Sequence, residues 1–214
     1  MNIIKLRNVK KSFKNIELFD NVNMDIEKGK IYGLVGPNGS GKSVLFKIIC
    51  GFIKPDEGEV LIHPDFMNTR NNFPSSFGLI IDRPAYISNK TGFENLKRLA
   101  SIQNKISETH IKSTMKKVGL DWTIKQKVEK YSLGMKQKLA IAQAIMEEQD
   151  VLILDEPFNG LDEDSIIVIR HLLIQLNNEG KTIVLTSHNK EDILALCDVV
   201  YKVKNQTLIL QSEA

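Results

Sequence analysis

The stretch Gly36-Pro37-Asn38-Gly39-Ser40-Gly41-Lys42-Ser43 decides how the rest of the chain is read. Its spacing is G-x-x-x-x-G-K-S, the pattern of a loop that cradles phosphate. The flanks agree with the letters. Ile31-Tyr32-Gly33-Leu34-Val35 is a short apolar run suited to a buried strand, and residues 44–50 read as a helix that Gly51 is placed to end. Glycines let the backbone curl. N–H groups along Gly36, Asn38, Gly39, Ser40, Gly41, Lys42, Ser43 and Val44 would then face phosphate oxygens at the positive end of the helix. Lys42 would reach the β- and γ-phosphates, and the Ser43 hydroxyl would ligate Mg²⁺. A glycine-rich turn with a chance Lys-Ser is the plainer alternative, and the strand-loop-helix setting weighs against it. The stretch predicts a protein that binds a nucleoside triphosphate.

Around that loop lie 214 residues, room for one sizeable domain with a subdomain inserted. The 29 Lys and Arg against 26 Asp and Glu leave a net charge of +3, and the lysines are scattered rather than blocked, so no nucleic-acid partner is expected. Cys50 and Cys197 sit far apart in apolar helical contexts and read as buried thiols of a reducing compartment, not as a disulfide or a metal pair. No secretory leader is expected, and no apolar run approaches the roughly 20 residues that span a bilayer. Work at a membrane would need a partner to recruit the chain there.

Taken in order, residues 1–11 read as a strand with Phe13 where it runs out, and Val22-Asn23-Met24-Asp25-Ile26 alternates like a half-buried strand. Residues 59–62 form another strand, 63–76 a surface loop rich in Asn, Pro and Ser, and 78–81 a buried strand ending at Asp82-Arg83-Pro84. Residues 92–104 and 107–118 read as amphipathic helices, with Gly119 capping the second. Beyond them come helices over 134–148, 164–178 and 190–196 and strands over 151–154, 182–186, 199–203 and 207–210. Such alternation implies a mostly parallel sheet covered on both faces. The all-helical stretch between reads as an inserted subdomain.

Leu152-Ile153-Leu154-Asp155-Glu156-Pro157 is the second anchor. A carboxylate at the end of a buried strand beside the loop is placed to hold Mg²⁺, which suits Asp155, and Glu156 would point toward the γ-phosphate as a general base for water. Taken alone, two solvated acids at a strand end explain the letters equally well.

At this point the chain resembles the ATP-binding subunits of ABC transporters over nearly all its length. Tyr131-Ser132-Leu133-Gly134-Met135-Lys136-Gln137 is similar to the family's signature, Asn159-Gly160-Leu161-Asp162 to its D-loop, and His188 in Thr186-Ser187-His188 to its switch histidine. The order of these elements is more specific than any one of them. The resemblance implies a P-loop NTPase fold of class α/β, with a mostly parallel sheet, an N-terminal antiparallel β portion and an inserted helical subdomain. A RecA-like core would cover 1–84 and 131–214, and the subdomain about 85–130. It implies ATP hydrolysis with Mg²⁺, Lys42, Glu156 and His188 as catalytic residues, and Ser43, Asp82 and Asp155 around the metal. Ser132 and Gly134 would close over the nucleotide of a second subunit in a head-to-tail homodimer, where a hydroxyl, backbone N–H groups and a helix dipole offer an anion site. Phe13 falls where the family stacks an aromatic on adenine; a core phenylalanine is the alternative. The implied partner is a separate transmembrane permease, which would hold the chain on the cytoplasmic face of the membrane. A relative acting on ribosomes or DNA would carry a second cassette or a long coiled coil, and neither is present in the sequence.

Two departures from the family pattern stand out. Asp82 replaces the usual Gln and Met135 the usual Gln of the signature, and both point to the branch similar to bacitracin-resistance and lantibiotic-immunity exporters. Tyr86 and Ile87, in the 84–92 junction, read either as a patch for the permease or as part of the insert's own core.

Overall fold

The computed structural model describes residues 1–14, 16–68, 73–82 and 86–213. Arg83, Pro84 and Ala85, on which the expected entry to the helical insert falls, lie outside the described residues, as do Asn15 and residues 69–72 of the expected 63–76 loop.

Among the described residues the chain builds two sheets. The smaller is antiparallel: β1 (Asn2–Phe13) runs between β2 (Ile16–Glu27) and β4 (Glu57–Ile62). The larger has six strands in the order β5 (Phe77–Ile80), β6 (Val151–Leu154), β7 (Thr182–Thr186), β3 (Ile31–Val35), β8 (Val199–Lys204) and β9 (Thr207–Glu213). All its pairs are parallel except β8 with β9. Every residue of β6 and β7 is buried, as strands covered on both faces require. The class is α/β with an N-terminal antiparallel sheet, as the resemblance noted above implied, and the larger sheet is mostly parallel, as the alternation of strands and helices implied.

Among the described residues there are six helices: α1 (Lys42–Ile49), α2 (Gly92–Gln103), α3 (Glu108–Lys117), α4 (Leu133–Ile145), α5 (Glu163–Asn178) and α6 (Lys190–Leu196). Their starts carry local instructions. Thr91 and Glu94 close a capping box on α2, Ser107 caps α3, and Asp162 caps α5. The period-two alternation of the strands sorts their side chains to two faces. Ile31, Leu152, Leu154, Ile183 and Leu185 pack with α4, α5 and α6, whereas Tyr32, Leu34, Val151, Ile153 and Val184 pack with α1 and the small sheet. Leu96, Ile111 and Met115 of α2 and α3 belong to the first of these cores, continuous with Leu139 and Ile141 of α4. Each such buried side chain contributes about 1.5–3 kcal/mol, so the helical stretch is anchored to the sheet through α4.

Two differences from the sequence reading have plain causes. The second strand begins at Ile16 rather than Val22, because register shifts in its pairing with β1 break the alternation that would have revealed it. Within the expected surface loop, Pro64–Phe66 forms a short 3-10 turn that buries Phe66. Cys50 is buried and Cys197 half-buried; both are free, and burial pushes each thiol up to about 12, so both stay protonated and unreactive. Among the described residues no helix is long and apolar enough to cross a membrane.

Candidate functional site

Parallel strands deliver their carboxyl ends to one edge of the sheet, and three of those ends carry the residues singled out above. β3 runs into the glycine loop, β6 into Asp155-Glu156, and β7 into Ser187-His188. Asn38, Gly39, Gly41, Lys42, Ser43 and Val44 line one hollow together with Asp155, Glu156 and Leu18 of β2.

The loop needs its glycines for two separate reasons. Gly39 and Gly41 have φ of +77° and +97°, in the left-handed region that side chains disfavour. A Cβ on Gly41 would also lie 2.7 Å from Phe19 Cζ and 2.9 Å from Leu18 Cγ, so β2 presses directly on the loop. Gly36 is closed in as well, with Ser40 Oγ 2.9 Å from where its Cβ would be. Lys42 is 9% exposed, and its ammonium donates to the carbonyl oxygens of Gly36 at 2.9 Å and Pro37 at 3.0 Å.

Ser43 Oγ donates a short hydrogen bond to Asp155 Oδ2, joining the first turn of α1 to the end of β6. The other carboxylate oxygen, Oδ1, accepts from Thr186 Oγ1 at 2.7 Å, and the same Thr186 oxygen accepts from Glu156 N at 2.8 Å. Glu156 itself has φ of +49°, a conformation that costs an L residue about 1–2 kcal/mol. Its Oε2 lies 2.9 Å from His188 Nδ1 and accepts from His188 N at 3.3 Å. Gln137 Nε2 donates to the carbonyls of both Glu156 and Pro157, at 3.2 and 3.0 Å. Thr186 and Gln137 escaped the sequence reading as site residues. The available signal was a hydroxyl closing the otherwise apolar run Ile183-Val184-Leu185, and an amide two residues beyond Met135.

Magnesium is implied by this loop pattern, and the donor set fits it. A hydroxyl and a carboxylate already meet at one point, and hard oxygen donors with one or two carboxylates plus phosphate oxygens are what Mg²⁺ takes. Among the described residues no group of three or more His, Cys, Asp or Glu is gathered to hold a metal ion.

The remaining expected residues are not gathered here. Asp82 has φ of +58° and turns its carboxylate to Lys47 Nζ of α1 at 2.5 Å, instead of joining the Ser43–Asp155 pair. Ser132 caps α4, its Oγ accepting from Met135 N at 3.2 Å. Gly134 backs onto the D-loop-like turn: a Cβ there would lie 2.9 Å from Gly160 O. Neither Ser132 nor Gly134 lines the hollow around Lys42. Phe13 is 43% exposed at the end of β1, with Lys11 Nζ 5.2 Å from its ring centre, which removes the core alternative. Its register partner Ile16 lines a second hollow with Leu18, Pro37, Gly39 and Ser40. Tyr86 and Ile87 part company. Tyr86 is half-buried against the core, its hydroxyl donating to Lys136 O at 3.1 Å and its ionisation pushed far up by burial. Ile87 is exposed, its N–H and carbonyl held by the Asn95 side chain.

The family model described as ABC transporter matches residues 19–159. The ABC transporter ATP-binding protein YybJ of Bacillus subtilis is 41% identical over 96% of this chain and 94% of its own length. The lantibiotic transport ATP-binding protein SrtF of Streptococcus pyogenes is 36% identical over 99% of this chain and 91% of its own. The bacitracin transport ATP-binding protein BcrA of Enterococcus faecalis is 38% identical over 92% of this chain and 65% of its own. Among solved structures, the dimeric post-hydrolysis state of the ATP-binding cassette MJ0796 bound to ADP and Pi is similar, with a TM-score of 0.86 and 25% identity over 99% of both chains.

Proposed function

The chain belongs to the ABC transporter family, and from that premise we propose that it powers an exporter through nucleotide-dependent closure of a dimer. It is an ATP-binding cassette with ATPase chemistry, in the branch that holds lantibiotic and bacitracin transport proteins. The observation that carries the rest is the run of hydrogen bonds from Ser43 through Asp155 and Thr186 to the peptide N–H of Glu156, which ties the phosphate loop to the Asp155 carboxylate and to the backbone of Glu156.

In this reading, N–H groups of the loop from Gly36 and Asn38 through Val44 hold the phosphates, and Lys42 exchanges its two carbonyl partners for phosphate oxygens. Ser43 and Asp155, with Asp82 if it leaves Lys47, would hold Mg²⁺, which would offset the charge of the phosphate groups. Glu156 takes the proton of the attacking water, and His188 fixes the Glu156 carboxylate. Phe13 stacks on adenine, for which its exposure is favourable, as is the place of its register partner Ile16 in a hollow with Pro37, Gly39 and Ser40. Ser132 and Gly134 serve the nucleotide of a second copy, since within one copy they stand apart from the hollow; MJ0796, a comparable cassette, is dimeric.

The permease partner would dock along the helical stretch, which we treat as a subdomain over about 85–130 against a core of 1–84 and 131–214. Exposed Ile87 and the hollow between β5 and α2, lined by Phe77, Leu79, Leu99 and Ile102, offer apolar surface there. Bound in this way, the chain would sit on the cytoplasmic face of a membrane. The names of SrtF and BcrA make a compound akin to a lantibiotic or bacitracin the expected class of cargo. The test is sedimentation of the Glu156→Gln variant with and without ATP and Mg²⁺. A dimer with ATP and a monomer without it is expected. A monomer under both conditions, at protein concentrations well above the nucleotide Kd, would overturn the shared site.

A further inference from the structure

We propose that Thr186 and Gln137 are positioning residues for hydrolysis, gripping the peptide of Glu156 from two sides so that its carboxylate stays aimed into the site. This rests on Glu156 being the general base. With φ of +49°, Glu156 occupies a backbone region that residues with a side chain rarely adopt, and something must hold it there.

Two side chains act on its backbone. Thr186 Oγ1, at the end of β7, accepts from Glu156 N at 2.8 Å; Gln137 Nε2, in the second turn of α4, donates to Glu156 O at 3.2 Å. Thr186 is wholly buried, so no water substitutes for its hydroxyl. The hydroxyl is used in both senses, because it also donates to Asp155 Oδ1 at 2.7 Å. One oxygen thus sets the orientation of both carboxylate residues. Gln137 extends the grip to the next peptide, donating to Pro157 O at 3.0 Å, and so pins the turn after β6 to α4. His188 holds the other end of Glu156, its carboxylate. A base misplaced by about 1 Å costs on the order of a hundredfold in rate, so loss of either backbone tether should be felt in turnover.

The substitutions that test this keep shape and remove only the bonds. Valine matches threonine in form but has no hydroxyl, serine keeps the hydroxyl, and methionine matches glutamine in length without a donor. Thr186→Val, Thr186→Ser and Gln137→Met would be made in the full chain, each alone and in a Glu156→Gln background. The readouts are kcat and KM for ATP at saturating Mg²⁺, ADP affinity, and hydrogen exchange at the segment around Glu156. Thr186→Val and Gln137→Met are expected to lower kcat about tenfold or more, with KM and ADP affinity within about threefold. Thr186→Ser should restore most of the turnover, and exchange around Glu156 should quicken in Thr186→Val. In the Glu156→Gln background, Gln137→Met should change the residual rate by less than about twofold, because the group it positions is already gone.

Unchanged kcat in both Thr186→Val and Gln137→Met overturns the proposal alone. An equal loss from Gln137→Met in both backgrounds does the same, since the side chain would then act elsewhere. If Thr186→Val fails to fold, Gln137→Met at its half-exposed position carries the test. A Glu156→Gln enzyme that turns over like the parent brings down the general-base reading, and this proposal with it.

Discussion

Glu156 and His188 meet twice: the histidine's ring nitrogen and its backbone N–H both approach the same carboxylate oxygen, at 2.9 and 3.3 Å. His188 is 72% exposed, so the contact is made at the rim, where a nucleotide could reach it. Replacing Glu156 by Gln should preserve ATP binding and slow hydrolysis by about two or more orders of magnitude, as loss of a general base does. His188→Ala should also lower kcat while leaving ADP affinity within a few-fold. Single-turnover hydrolysis measured beside equilibrium binding separates the two effects. Unchanged turnover in Glu156→Gln would remove the residue from its role.

Lys42 supplies a second expectation. Its ammonium donates to two carbonyls of its own loop, so Lys42→Ala should weaken ATP binding by about tenfold or more and cost the nucleotide-free chain about 1.5–3 kcal/mol. Nucleotide titration and thermal unfolding of the same variant check both halves. A loss of stability without a loss of affinity would make the lysine a structural clasp.

How far the site could be read in advance depended on which interactions are local. The glycine loop and the turn after Leu154 are contiguous motifs whose spacing alone implies the chemistry. Strand and helix types were legible too, because α2 and α3 carry amphipathic patterns and β6 and the middle of β7 are apolar runs. What stayed hidden joins distant segments. Thr186 meets Asp155 and Glu156 only because β7 pairs with β6, and Gln137 meets Glu156 only because the start of α4 lies against the turn after β6. No periodicity announces such contacts. The start of β2 was lost for a different reason, since bulged pairing scrambles the two-residue period.

Asp82 allows a third test. Its bond to Lys47 joins side chains 59% and 29% exposed, and such pairs contribute about 0–1 kcal/mol, little enough for the carboxylate to change partners. Asp82→Asn should therefore leave thermal stability within about 1 kcal/mol of the parent. If Asp82 joins the metal when nucleotide binds, the Mg²⁺ concentration giving half-maximal turnover should rise several-fold. Lys47→Met should lower it by freeing the acid. Identical Mg²⁺ curves for all three proteins would confine Asp82 to its pair with Lys47.

The last prediction separates Tyr86 from Ile87, neighbours with opposite surroundings. Tyr86 lies against the core beside α4 and donates to Lys136 O, so a charge there meets apolar side chains and leaves that carbonyl short of a partner. Tyr86→Asp should lower stability by about 2–4 kcal/mol, visible in urea unfolding, with loss of ATPase activity following from unfolding. Ile87 is exposed, and its backbone bonds to Asn95 do not depend on its side chain. Ile87→Asp should keep both stability and basal ATPase activity. Its effect should emerge only with the permease, as lost co-purification from membranes, because a charge would sit in the apolar part of the contact. A stable Ile87→Asp protein that still co-purifies would move the docking surface away from this junction, toward Phe77 and Ile102 in the hollow between β5 and α2.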